Sequence, residues 1–145
     1  MLTRRSINLV LFALLVLAGV AVGCKPPTSK PARLTDEQVN QIAENILQAI
    51  NSGDYVAFSK DFSDAMAKAS TETEYNKLRS LLLNTSGRYI SKTKPTLSNI
   101  QTIAVYDYVC QFDREKVVFR VTFQIGGNKV EGTFFDSTNI RKSNP

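Results

Sequence analysis

Two hydrophobic rhythms divide the chain. Between residues 35 and 85 apolar positions recur every three to four residues; from residue 88 to 135 they alternate. The first rhythm predicts helices and the second predicts strands. Helix 1 opens at Thr35, where Thr35 and Gln38 fit a capping box and Asp36 and Glu37 suit the positive end of the helix. Val39, Ile42, Ala43, Ile46, Leu47 and Ile50 then form one apolar stripe, and Asn51-Ser52-Gly53 stops the helix. Asp54 caps a second, shorter helix carrying Tyr55, Phe58, Phe62 and Met66. A third begins at Thr71, with Glu74 completing a capping box, and presents Tyr75, Leu78, Leu81 and Leu82 before Thr85-Ser86-Gly87 ends it.

The alternating part reads as a short strand at 88–92, interrupted by Pro95, followed by three longer ones. In the first, Thr102, Ala104, Tyr106, Tyr108, Cys110 and Phe112 alternate with Ile103, Val105, Asp107, Val109 and Gln111. After the polar turn 113–116, Val117, Phe119, Val121, Phe123 and Ile125 share one face. Gly126-Gly127-Asn128 signals a hairpin into Val130–Phe135, where Gly132 marks a bulge or bend. The expected fold is α+β: N-terminal helices packed on a curved antiparallel sheet of three to four strands. The polar tail after Asp136 is expected to fray.

The first 24 residues have a different character. Arg4 and Arg5 precede an uncharged apolar run, residues 7–22, broken only by Asn8 and ending Ala21-Val22-Gly23-Cys24. This is the layout of a secretory signal. Its end resembles the lipobox of bacterial and archaeal lipoproteins, which implies cleavage before Cys24 and lipidation of that cysteine, the palmitate-type anchor of a lipoprotein. Ala21 departs from the leucine commonest at that place. A retained transmembrane anchor is the alternative, because the uncharged stretch 6–24 approaches the roughly 20 residues that span a bilayer. The Arg4-Arg5 pair also resembles a twin-arginine signal, but the long apolar run suits the general secretion route better. Residues 25–33, KPPTSKPAR, form a Pro/Lys-rich tether that favours polyproline II. The expected organisation is therefore signal peptide 1–23, lipidated Cys24 and tether 24–34, one α+β domain 35–141 and a tail 142–145. Localisation follows: lipid-anchored at the extracytoplasmic face of the cell membrane, or at the outer membrane in a two-membrane host, since Lys25 follows the cysteine.

Composition narrows the function. Of 18 Lys and Arg, Arg4 and Arg5 leave with the leader, so 16 remain against 13 Asp and Glu. That small surplus sits largely in the tether and tail. No basic cluster with interleaved aromatics occurs in the folded part, which argues against nucleic-acid binding. The sequence has no histidine, which removes Ser-His and Cys-His nucleophile systems and the commonest transition-metal ligand. No phosphate loop, CxxC or calcium-loop spacing occurs. No metal and no cofactor are expected. Cys110, set in an apolar strand pattern, reads as a small core residue. Asn84-Thr85-Ser86 matches a glycosylation sequon and reads as incidental.

The phrase Asn51-Ser-Gly-Asp-Tyr55-Val-Ala-Phe58-Ser-Lys-Asp-Phe62 after an amphipathic helix resembles a microbial domain family of unknown function. Ser86-Gly87-Arg88-Tyr89 and Val130-Glu131-Gly132-Thr133-Phe134-Phe135 resemble the same pattern, in the same order. The resemblance implies membership of the nuclear transport factor 2-like (cystatin-like) superfamily, whose cone of sheet and helices often leaves a pocket. The family has no established catalytic residues to carry over. The resulting expectation is a non-enzymatic lipoprotein that binds a small apolar ligand or an envelope protein. Its candidate pocket residues are Tyr55, Phe58, Tyr106, Tyr108 and Phe135. The competing reading places these five in the core or on a dimer face. A second expectation is an isomerase- or dehydratase-like enzyme using an aspartate base with a tyrosine donor. Alternation opposes it, because it turns Asp107 away from both Tyr106 and Tyr108, and Asp54, Asp61 and Asp64 read as caps and solvated residues. A third is a structural module that forms a homodimer through the second sheet face.

Overall fold

The computed structural model describes residues 33–143. The signal peptide, Cys24 and most of the tether lie outside the described residues. Four helices come first: α1 (Asp36–Ser52), α2 (Tyr55–Ser59), α3 (Asp64–Ala69) and α4 (Glu72–Thr85). Five strands follow, β1 (Tyr89–Lys92), β2 (Thr96–Ile100), β3 (Ile103–Phe112), β4 (Lys116–Gln124) and β5 (Val130–Asp136), and then α5 (Thr138–Ser143). The fold is α+β, helices followed by an open, curved antiparallel sheet. Among the described residues no helix is long and apolar enough to cross a membrane.

Helix α1 begins as its sequence dictates. The Gln38 amide donates to Thr35 Oγ1 at 3.2 Å and the Thr35 amide donates to Gln38 Oε1 at 2.9 Å, closing the capping box. Gly53 ends it in the left-handed conformation at φ 80°, which a residue with a Cβ adopts only at a cost. Neither α1 nor α4 carries a basic residue in its last turn. Arginines from elsewhere serve their free carbonyls instead. Arg79 of α4 donates to Ile50 O at 2.8 Å, and Arg114 of the β3–β4 turn donates to Thr85 O at 3.1 Å and to Leu83 O.

The expected second helix is two. Asp54 caps α2, which ends after Ser59, and Ser63 starts α3 by accepting from the Met66 amide. Between them the chain bridges to β5: the Ser63 amide donates to Val130 O at 2.9 Å and the Val130 amide to Asp61 O at 2.9 Å. Pairing with a strand edge outweighs continuing the helix, while Phe58 and Phe62 still reach the core. In α4 the Glu74 amide donates to Thr71 Oγ1 at 3.4 Å, but the Glu74 carboxylate turns to Lys77 rather than completing the box.

The sheet holds five strands, one more than the three to four expected. The extra strand is β2. It resumes after Pro95, lies exposed along its whole length and pairs with the first half of β3, while β1 pairs with the last residues of β3. The order is therefore β1 and β2 along one side of β3, then β4, then β5. The register between β4 and β5 shifts between Thr122 and Phe123, leaving an extra residue beside Gly132, where a bulge was expected. The residues after Asp136 do not fray at once. Ser137 accepts from the Ile140 amide, α5 forms and Ile140 is buried.

Glu115 ties the last helix to the rest. Its carboxylate accepts from Ser86 Oγ at 2.6 Å, Ser137 Oγ at 2.7 Å and the Asn139 amide at 3.2 Å. One side chain on a strand turn thus holds the end of α4 and the start of α5. Burial by itself would raise the Glu115 carboxyl, but these hydrogen bonds and the Arg141 charge outweigh it and hold the pKa below 4.5, its ordinary value. A depressed carboxylate stabilises the fold above its unfolded pKa, and that stabilisation is lost as the pH falls through the lower, folded value. Glu115→Gln is expected to cost about 1–3 kcal/mol near neutral pH, because Ser86 and Ser137 are buried and lose a charged acceptor. Urea titrations at pH 7 and at pH 3 check it: the deficit should shrink at the lower pH, where the wild-type carboxylate is itself losing its charge.

Candidate functional site

Cross-strand register decides which side chains share a face. On the face toward the helices, Ala104 stands opposite Phe123, Tyr106 opposite Val121, Tyr108 opposite Phe119 and Cys110 opposite Val117. All eight are buried. The other face carries Ile103, Val105, Asp107 and Val109 of β3, opposite Gln124, Thr122, Arg120 and Val118. Asp107 accepts from Arg120 Nε at 2.7 Å and from the terminal guanidinium nitrogen at 3.0 Å. The acid is therefore engaged on the outer face, and the two tyrosines lie on the inner one, as alternation requires.

The five candidate pocket residues fall into two groups within one core. Tyr55 and Phe58 belong to α2. Phe58 packs on Tyr75 at 4.8 Å and on Phe62 at 5.0 Å between ring centres, and Tyr55 lies 5.6 Å from Tyr75. Phe58, Met66, Tyr75, Leu78 and Thr133 help line a cavity of about 200 Å³. Tyr55 is half-buried and donates to Ser70 O at 2.9 Å. The second group is the inner sheet face. Tyr108 stacks on Phe119 at 6.1 Å, Phe119 stacks on Phe135 at 4.7 Å, and Tyr106 meets Phe123 edge-on at 5.8 Å.

Hydroxyl partners divide the five tyrosines of the chain. Tyr55 donates to Ser70 O, Tyr75 to Ala49 O at 2.7 Å and Tyr89 to Glu44 Oε2 at 2.9 Å. Tyr106 and Tyr108 are both 0% exposed, and neither hydroxyl has a hydrogen-bond partner among the described residues. A buried hydroxyl left unpartnered costs about 1–3 kcal/mol. Burial foremost, then Tyr106 and the Asp36 carboxylate, push the Tyr108 phenol well above its ordinary pKa, so it stays protonated.

Beside them lies a polar cluster that periodicity alone did not single out. Lys92 Nζ sits 5.3 Å from the centre of the Tyr108 ring and 3.4 Å from Glu44 Oε2. Burial opposes ionisation of Glu44, but bonds from Gln48, Tyr89 and Lys92 hold its pKa below the ordinary value. The one sequence signal was the position of Glu44 on the flank of the α1 stripe, one residue beyond Ala43. Cys110 lies beneath this cluster, fully buried, and burial pushes its thiol up to about 12 despite the nearby Lys92. Among the described residues no group of His, Cys, Asp and Glu is placed to hold a metal ion.

The family described as protein of unknown function DUF3887 matches residues 43–132, from the middle of α1 into β5. The chain belongs to this family. The match spans the Asn51–Phe62 phrase, the start of β1 and the sheet as far as the β5 bulge. No curated protein matches the chain.

A thiol reagent applied to the folded domain at pH 8 is expected to label Cys110 at a small fraction of the rate seen in denaturant, because both access and thiolate formation are suppressed. Intact mass against time, with and without urea, measures the ratio; equal rates would contradict the burial described here.

Proposed function

We propose that this DUF3887 protein is an exported lipoprotein, anchored through a lipidated Cys24, whose α+β domain captures a small apolar ligand or an envelope partner without chemistry. The anchoring half rests on the Arg4-Arg5 start, the apolar run of residues 7–22 and the Gly23-Cys24 end. The reading without chemistry rests on one observation above the rest: β3 separates its acid from its phenols. Asp107 is bonded to Arg120 on the outer face, and Tyr106 and Tyr108 face the helices, so a base and a donor do not converge there. The lack of histidine in the sequence points the same way. The order of helices and the curved sheet are consistent with a nuclear transport factor 2-like cone, a fold that serves binders and enzymes alike.

A second reading has its own observation. The outer sheet face exposes Ile103, Val109, Val118 and Phe134, with Ile100 at 62% exposure beside them on β2. Such a face suits a homodimer, and sedimentation across a concentration series separates a dimer from a monomeric binder.

Expression of the full chain tests the anchoring. The wild type is expected in the membrane fraction with a mass that matches cleavage before Cys24 plus acyl chains. Cys24→Ser should lack the acyl mass. An uncleaved wild-type chain in the membrane would instead establish a retained anchor. Comparison of native and denatured masses of protein purified from exporting cells tests the binding. A reproducible extra mass of small-molecule size is expected, and its consistent absence would count against a captured ligand.

A further inference from the structure

The hydroxyls of Tyr106 and Tyr108 have no account in the fold. The same inner face uses phenylalanine at positions 112, 119 and 123, all buried. Phenylalanine at 106 and 108 would fill nearly the same volume with no polar atom to desolvate. The chain nonetheless places two phenols there, two residues apart on one strand and on one face. Its three other tyrosines, Tyr55, Tyr75 and Tyr89, all donate within the fold. These two do not bond even to one another.

We infer that Tyr106 and Tyr108 form a paired hydrogen-bonding element that receives an uncharged oxygen, such as a ketone or ester carbonyl, of a ligand whose apolar body packs on the inner aromatic face. This deepens the binding reading above and rests on it. Each phenol brings one donor, so a carbonyl oxygen with two lone pairs satisfies both. The surroundings select against an anion. Asp36 and Glu37 occupy the first turn of α1, and Asp36 is the carboxylate whose charge reaches Tyr108. Lys92, the nearby cation, is already paired with Glu44. Phe119, Phe123 and Phe135 are buried beside the phenols, so the apolar body lies against them only where the packing above the sheet gives way. Access points to the side where α1 begins. There Asp36, Glu37 and Asn40 face Lys94 and Pro95 across a groove of about 310 Å³. Its far wall is the β1–β2 corner, beside the strand exposed along its whole length. Neither phenol lines that groove, so entry by this route requires the corner to withdraw.

The experiment uses the full chain in detergent, labelled selectively on its tyrosine rings. Three ring compounds of similar size are titrated: acetophenone with a neutral carbonyl, ethylbenzene with none, and benzoate with a charge. Empty micelles correct for partitioning. Acetophenone is expected to shift the Tyr106 and Tyr108 resonances saturably, and more tightly than either ethylbenzene or benzoate. Tyr106→Phe, with Tyr108 as reporter, and Tyr108→Phe, with Tyr106 as reporter, should each weaken acetophenone by up to about tenfold, the worth of one hydrogen bond, and leave ethylbenzene unchanged. Both variants should melt at or above the wild-type temperature, since each loses an unpartnered hydroxyl. Absence of a saturable shift, equal binding by the Phe variants, or preference for benzoate overturns the inference. So does a fall in melting temperature, which would show each hydroxyl already bonded within the protein or to a fixed water. An extra native mass that persists in the double Phe variant would leave the binding function standing and remove this element alone.

Discussion

Nine consecutive pairs, from Ile103 with Gln124 to Gln111 with Lys116, hold β3 against β4, and the other elements are placed by them. Side chains alternate along both strands. A slip of one residue would turn Tyr106, Tyr108 and Cys110 outward and bring Asp107 to the helices. Burial of the whole inner set forbids that slip. β1, β2 and β5 all pair onto these two strands. The apolar stripe of α1 has a continuous surface to cover only because the register is single-valued. Glu115, at the turn that joins the pair, then extends the same constraint to α4 and α5.

Elements with strong local signals were legible in the sequence. The capping box at Thr35, the Gly53 stop and the strict alternation of 117–125 correspond to what the structure contains, and alternation correctly set Asp107 apart from its neighbouring tyrosines. What was not legible depended on partners far away in the chain. β2 has no clean alternation and follows a proline. It is a strand because β3 offers it an edge, with Thr96 opposite Asp107 and Ile100 opposite Ile103. The break between α2 and α3 has the same origin. Asp61 and Ser63 bond to Val130, 67 positions beyond Ser63, and no periodicity within 55–66 could announce that. α5 was hidden in the same way. Its residues are polar, and burial of Ile140, the Glu115 carboxylate and an Asn139 bond to Thr85 O commit them to the fold.

The five aromatics singled out from the sequence all pack in or against the core, and the hydroxyls of the chain's tyrosines sort those residues more sharply than their rings do. Tyr55 is used structurally, as are Tyr75 and Tyr89, so each has an explanation within the fold. Tyr106 and Tyr108 do not. Hydrophobic patterning treats tyrosine as an aromatic ring and says nothing about its oxygen. The distinction appears only when every buried polar atom is matched to a partner. That matching, more than shape, separates the inner face of this sheet from an ordinary apolar core.

The position of α1 has a kinetic consequence. Among the described residues it is the first helix made, yet its apolar stripe shares one core with strands that begin at Tyr89 and end at Asp136. A chain threaded across a membrane from its N-terminus would therefore deliver this amphipathic helix long before its partners. Its apolar stripe would stand open to solvent, to lipid or to a holding chaperone throughout that interval. The meander, by contrast, has its partners close at hand and can assemble as it emerges. On such a route the docking of α1 would follow the assembly of the meander.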